Sequence, residues 1–317
     1  MSWIILAHGD CDGICSASLA TAAKKDVKII FTSPANLLFE LKSIPEGNNV
    51  IIMDVALTHK YKNEIVLELK RLCSSGEVIY LDHHPLPSRL SLRKIPVKTI
   101  KSKGACASEL TYVFFEEELN PEMSRVAIYG AIGDYSDNTP RIKELLKKWD
   151  KRELYLEAGI LVAALEGVKK RDFGFKRNLV NYLSENRLPS SDRNLVEIAL
   201  RESEKDEKMR QVVKNSVKRH GRVAYVINIG WSLGKATTYA RAYADALVGV
   251  AAEEIDENID MSVRSVSLNN LHKIVSKVAE ELGGVGGGHA NAAGARIPKG
   301  LFPEFIRRLD EMLLKNS

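Results

Sequence analysis

The sequence predicts an α/β protein: an N-terminal parallel-sheet domain, a helical connector and a smaller C-terminal α/β domain, with a cleft between the two domains. Three observations carry this expectation. Short apolar, β-branched runs alternate with helical patterns through the first 140 residues, as in a parallel sheet covered on both faces. The stretch from about 141 to 216 is charged, amphipathic and almost free of strand signal. Strand-like runs then return and lead into a glycine-rich segment. The expected domains are residues 1–150, 151–216 and 217–317, because single cores rarely grow beyond ~250–300 residues.

In chain order, "WIILA" (3–7), "VKIIFT" (27–32), "VIIMDV" (50–55) and "EVIYLD" (77–82) read as buried strands. "GICSASLATAAKK" and "YKNEIVLELKRLCSS" carry helical periodicity between them. In such sheets reactive groups gather at the carboxyl ends of the strands. The connector holds helical stretches interrupted by the turn-like "NRLPSSD" (186–192), and its "RESEKDEKMR" run reads as a solvated helix face. Beyond it, "RVAYVINI" (222–229) predicts a strand, "ATTYARAYADALVG" (236–249) a helix and "MSVRSVSL" (261–268) a second strand region. Another helix and the glycine-rich "LGGVGGGHANAAGARI" (282–297) follow.

Composition narrows the function classes. Lys and Arg number 46 against 41 Asp and Glu, a net charge of +5, which suits anionic partners such as nucleic acid or nucleotides without requiring them. Cys11, Cys15, Cys73 and Cys106 form neither CxxC pairs nor a secreted-type framework, so reduced thiols in a cytoplasmic protein are expected. The N-terminus lacks a basic n-region, and no run approaches the ~18 apolar residues of a membrane span.

The residues that carry chemistry stand at the predicted strand ends. "AHGDCDG" presents His8, Asp10 and Asp12 within five residues. Asp54 ends an otherwise apolar run, where a carboxylate is costly unless it is paired or bound to a cation. Asp82, His83 and His84 close the fourth strand, and "AIYGAIGDYSDN" adds Asp134 and Asp137, the latter a turn or cap residue. Oxygen and imidazole donors without thiolates suit Mn²⁺ or Mg²⁺, and the histidines favour Mn²⁺. Five or six such ligands exceed the need of one catalytic ion, whereas a bridged pair of ions, which drives phosphoester or phosphoanhydride hydrolysis, would use them all.

"HGDCDG", "MDV", "DHHP" and "GDYSD", in this order, resemble the motifs of the DHH phosphoesterase family, and "GGGHANAAGA" resembles the signature of its associated C-terminal domain. The resemblance covers all but the connector, and reaches RecJ-type exonucleases and the nanoRNase and cyclic-dinucleotide phosphodiesterase branch. It implies one Mn²⁺ on His8, Asp10 and Asp54, and a second on Asp12, Asp54, His83 and Asp134, with Asp54 as the bridge. Asp82 would orient His83, and His84 would face the scissile phosphate. Arg264, Gly286, Gly287, Gly288 and His289 would grip substrate, through backbone N–H groups and a guanidinium fork. Lys235 is either a phosphate contact or an ordinary exposed lysine.

The resemblance therefore implies a Mn²⁺-dependent exonuclease or nanoRNase acting on single-stranded RNA or DNA. The chain is short for the family, which favours short oligonucleotides. A terminal base could stack on an aromatic side chain, but composition singles out no candidate. Hydrolysis of cyclic or linear dinucleotides or of phosphoadenosine phosphate is the alternative chemistry, with pyrophosphatase less favoured. A replication- or repair-associated binding partner is the alternative class, and a homodimer is compatible with either.

Overall fold

The computed structural model describes residues 2–87, 89–102, 104–288 and 290–315. Its chain divides into two units, Met1–Glu202 and Ser203–Ser317.

In the first unit, β1 (Trp3–Ala7), β2 (Val27–Phe31), β3 (Asn49–Met53), β4 (Val78–Asp82) and β5 (Lys98–Lys101) form a parallel sheet in the order β2-β1-β3-β4-β5. Interleaved and following are α1 (Cys11–Ala23), α2 (Leu37–Ser43), α3 (Lys62–Cys73), α4 (Ala107–Phe114), α5 (Ser124–Gly133), α6 (Pro140–Leu146), α7 (Lys151–Gly167) and α8 (Phe173–Ser184). Side chains of a strand alternate between faces, and both faces of this sheet are covered. Ile4, Leu6, Val50, Ile52 and Tyr80 pack with Leu37 of α2 and Ile65 and Leu69 of α3. Ile5, Ala7, Ile51, Met53 and Leu81 pack on the opposite side with α1, α4 and α5. That second core extends through Leu154, Ala158 and Leu161 of α7 and Leu179, Val180 and Leu183 of α8. The helices that follow residue 150 are thus built into the packing behind the sheet.

The boundary between units falls within α9 (Arg193–Ser216). Leu195 and Ala199 belong to the core of the first unit, Met209 and Val213 to a core of the second. The second unit contains β6 (Lys218–His220), β7 (Val223–Ile227), β8 (Val248–Ile255), β9 (Asn258–Ser265), β10 (Val285–Gly288) and β11 (Ala292–Pro298), in the order β10-β11-β9-β8-β7-β6. Only β7 and β8 pair in parallel; the other pairs are antiparallel. One face packs with α10 (Leu233–Tyr243), the other with α11 (Leu271–Glu281) and α12 (Phe302–Lys315).

The α/β class and the four N-terminal strands match the sequence expectation. Three local differences have physical causes. β3 stops at Met53 because Asp54 adopts φ 55°, which ends an extended run. The helix expected to reach residue 249 ends at Tyr243, and Val248 already begins β8. The glycine-rich segment forms the antiparallel strands β10 and β11, of which β10 (VGGG) is almost all backbone.

Candidate metal centre

The ends of β1, β3, β4 and α5 supply one cluster of side chains. His8 follows β1, and Asp10 is the N-cap of α1, accepting the Gly13 N–H on Oδ1 (3.1 Å). Asp10 Oδ2 lies 2.8 Å from His8 Nδ1. Only glycine fits at position 13, since a Cβ there would lie 2.2 Å from the His8 carbonyl oxygen. Asp12 is buried in the first turn of α1 and accepts the N–H groups of Ala107 (2.7 Å, on Oδ2) and Ser108 (2.8 Å, on Oδ1). Those donors open α4 and have no partner within their own helix, so a carboxylate is favoured there. A carboxylate has about four lone-pair sites, which leaves Asp12 capacity for a cation.

Asp54 is 3% exposed and left-handed at φ 55°, a conformation Asp visits more readily than most residues. Its N–H donates to the Leu81 carbonyl (3.1 Å), and its Oδ1 lies 3.3 Å from His83 Nε2. Asp134 caps the C-terminus of α5 and places Oδ2 3.8 Å from His83 Nδ1. Among the described residues, ligand-type atoms form three overlapping groups: His8, Asp10 and Asp54; Asp12, His83 and Asp134; and Asp54, His83 and His84. Within each group they lie within 4.8 Å of one another. All six expected ligands are therefore brought together, and Asp54 is shared.

The electrostatics of this cluster call for cations. Burial, then the charges of Asp10 and Asp12, push the Asp54 carboxyl well above its ordinary value. Asp134 is pushed up to about 7 by burial and by Asp12 and Asp10, and burial also raises Asp12. Burial opposes ionisation of Asp10 too, but the His8 hydrogen bond and charge, with hydrogen bonds from Asp54 and the Gly13 N–H, together hold this carboxyl below the usual range. Burial lowers His83, leaving a neutral imidazole, the form that ligates metals. Asp54 Oδ2 is buried and, among the described residues, has no hydrogen-bond partner, the nearest imidazole nitrogen being His8 Nδ1 at 3.8 Å. An orphaned oxygen among mutually repelling carboxylates and neutral imidazole is a donor set that fits hard or borderline divalent ions.

One expected role is corrected. Asp82 does not orient His83: its Oδ1 lies 2.8 Å from His84 Nδ1. Residues two apart in extended chain share a side, so His84 rather than His83 falls within reach. Asp82 Oδ2 is engaged by Lys101 and by the Tyr80 hydroxyl (2.9 Å). Burial would raise the fully buried Asp82, but the His84 hydrogen bond and the Lys101 charge outweigh it and lower its carboxyl.

Sequence reasoning missed Lys176. This α8 residue is 6% exposed, and its Nζ donates to the carbonyls of Gly9 (2.6 Å) and Lys170 (3.0 Å). Gly9 separates His8 from Asp10, so a helix from the expected connector holds the loop that carries the first two candidate ligands. Nothing in the surrounding charged pattern marks this lysine.

In the second unit, Arg264 lies on β9, one strand from the glycines of β10. Its buried Nε has no hydrogen-bond partner among the described residues, and a Cβ at Gly234 of α10 would lie 3.0 Å from its Nη2. Gly286 backs closely onto Ser276 of α11, and Gly288 has φ 140° and abuts the Ala292 carbonyl. Gly287 has open space at its α-carbon. Gly286, Gly287, Leu233, Met261, Val285 and Arg296 line a surface hollow of about 560 Å³. His289 lies outside the described residues. Lys235 pairs with Asp206, which argues for an ordinary structural lysine.

The fold and this cluster are of the kind a metal-dependent phosphoesterase would use. The profile of the DHH family, N-terminal domain, matches residues 2–133, and that of the DHHA1 domain matches residues 220–315. The chain thus carries a DHH-family N-terminal domain followed by a DHHA1 domain. A comparison with curated proteins found no match. Among solved structures, RecJ in complex with Mn²⁺ from Thermus thermophilus is similar at 17% identity and TM-score 0.70, over 99% of this chain and 52% of that one. The chain thus spans about half the length of that RecJ, which has also been solved with Mg²⁺. The pGpG-specific phosphodiesterase PggH from Vibrio cholerae is similar at 13% identity and TM-score 0.65, over 100% of both chains. CDC45 from Entamoeba histolytica is similar at 8% identity and TM-score 0.58, over 98% of this chain and 95% of that one. At these identities the likeness is one of fold. Among the described residues, no helix is long and apolar enough to cross a membrane.

Proposed function

We propose that the protein is a two-metal phosphodiesterase that releases mononucleotides from short single-stranded RNA or DNA, in a cytoplasmic setting. The observation that carries this reading is the pair of ligand groups meeting at Asp54, whose buried Oδ2 has no hydrogen-bond partner among the described residues. His8, Asp10 and Asp54 would hold one Mn²⁺, and Asp12, Asp54, His83 and Asp134 the other. Bound there, the ions would supply an activated water and neutralise charge on the phosphate. The protein's own share is orientation. Asp82 fixes His84 through Nδ1, so a contact from His84 to the scissile phosphate uses Nε2. Lys176 holds the backbone between His8 and Asp10. Arg264 and the backbone of Gly286, Gly287 and Gly288 would bind the phosphates of the remaining substrate.

The Vibrio phosphodiesterase matches this chain end to end, and that coverage favours a second reading, hydrolysis of a linear dinucleotide by the same residues. One panel separates the two: short and long RNA and DNA labelled at either end, linear and cyclic dinucleotides and phosphoadenosine phosphate, each with Mn²⁺, with Mg²⁺ and with chelator. Laddering of single strands is the expected result. Turnover confined to dinucleotides would select the second reading. Absence of any metal-dependent turnover would overturn both and point to a replication or repair partner role.

A further inference from the structure

We propose that Tyr135 is a stacking platform for an unpaired nucleobase of the substrate, beside the phosphate held at the metal centre. This rests on the phosphodiesterase reading and adds to it the base contact that composition could not single out. Tyr135 directly follows Asp134 at the end of α5 and has φ 56°. That left-handed conformation is costly for an L-residue and rare for a bulky one. The other described non-glycine residues that adopt it are Asp or Asn, apart from Arg89. The turn itself is fixed by backbone: Tyr135 N–H donates to the Ile132 carbonyl (3.2 Å) and Ser136 N–H to the Ala131 carbonyl (2.8 Å).

Packing does not explain the tyrosine. It is 83% exposed, the highest value among the exposed large hydrophobic residues described. Glycine or asparagine would serve the turn at lower cost. A residue that is strained, exposed and aromatic, placed next to a metal-ligand carboxylate, has the attributes of a site contact; backbone strain of this kind gathers where function over-determines it. Tyrosine offers a wide, stiff face at little entropic cost. Every base has a π-face, so stacking tolerates sequence, and an unpaired base is the one whose face is available. The ring therefore selects single strands and linear dinucleotides over duplexes.

The test uses the full chain with Mn²⁺ and compares wild type with Tyr135→Gly, Tyr135→Phe and Tyr135→Trp. KM, kcat and thermal midpoint are measured with a short single-stranded oligonucleotide and with the same oligonucleotide lacking its terminal base. Binding of both oligonucleotides is followed separately by fluorescence anisotropy. We expect Tyr135→Gly to raise KM about tenfold, within the range set by base–aromatic stacking, while its midpoint holds or rises as strain is relieved. Phe and Trp should retain tight binding, and removing the base should bring the ratio of wild type to Tyr135→Gly back to about one. An unchanged KM in Tyr135→Gly, or a loss that persists on the base-free oligonucleotide, overturns the proposal. Binding that depends on Tyr135 and on the base, without hydrolysis, would sustain the stacking contact and sink the phosphodiesterase reading. Hydrolysis indifferent to the base would do the reverse.

Discussion

The candidate metal-binding loops of the first unit and the glycine strand of the second stand out equally in the sequence, yet they are built in opposite ways. In the first, chemistry sits on side chains that hold one another: His8 with Asp10, His83 with Asp54, His84 with Asp82. In β10, chemistry would sit on backbone, and two of its three successive glycines are also required by close packing. A side-chain site can be emptied one group at a time without unfolding its scaffold, whereas at Gly288 of the backbone site a side chain cannot be added without moving the strand.

The most severe break in this comparison is Asp54→Ala. Loss of the shared ligand should lower kcat at least about a thousandfold, the scale of removing a principal electrostatic element from a site, with near-native circular dichroism. A fully active variant would remove the two-metal reading. Lys176→Met should have a smaller effect, weakening Mn²⁺ binding by ~10–100-fold through the loosened Gly9 carbonyl, as outer-shell partners do; Mn²⁺ titration followed by electron paramagnetic resonance would read it.

Proton competition should be milder. Asp134, with its carboxyl at about 7, must lose its proton to bind a cation, so the folded metal-free site carries a proton below that pH and loses it above. Through this group alone Mn²⁺ affinity should rise with pH by up to about tenfold per pH unit towards 7. Calorimetric titrations in buffers of different ionisation enthalpy would count the protons released; a flat profile would contradict a ligand role for Asp134. The smallest effect belongs to the second unit. Gly288→Ala should destabilise it by ~1 kcal/mol or more, because φ 140° and the Ala292 carbonyl oppose a Cβ. Gly287→Ala, facing open space, should leave the urea midpoint nearly unchanged.

Much of the first unit was legible because its signals are carried by side-chain chemistry: buried β-branched runs gave four strands, and charged residues ending them gave all six clustered ligand candidates. The pairing of Asp82 with His84 was also within reach, since residues two apart on an extended chain face the same way. β5, "KTIK", escaped because it is a short, polar edge strand beside β4. β8, "VGVAAEEI", was hidden by alanines continuing the helical pattern before it. β10 offers almost no side chains by which a strand could be recognised. Lys176 was not legible, because its role depends on α8 lying against the β1–α1 loop, a contact 167 residues apart in sequence.

The lysine on α8 also sets the minimum size of a transplantable active site. The DHH signature ends at residue 133, but the unit carrying it continues to Glu202, and its later helices supply both core and clamp. A chimera joined just after the signature would inherit the ligands without the helix that holds their loop, so recombination between relatives should respect the longer boundary.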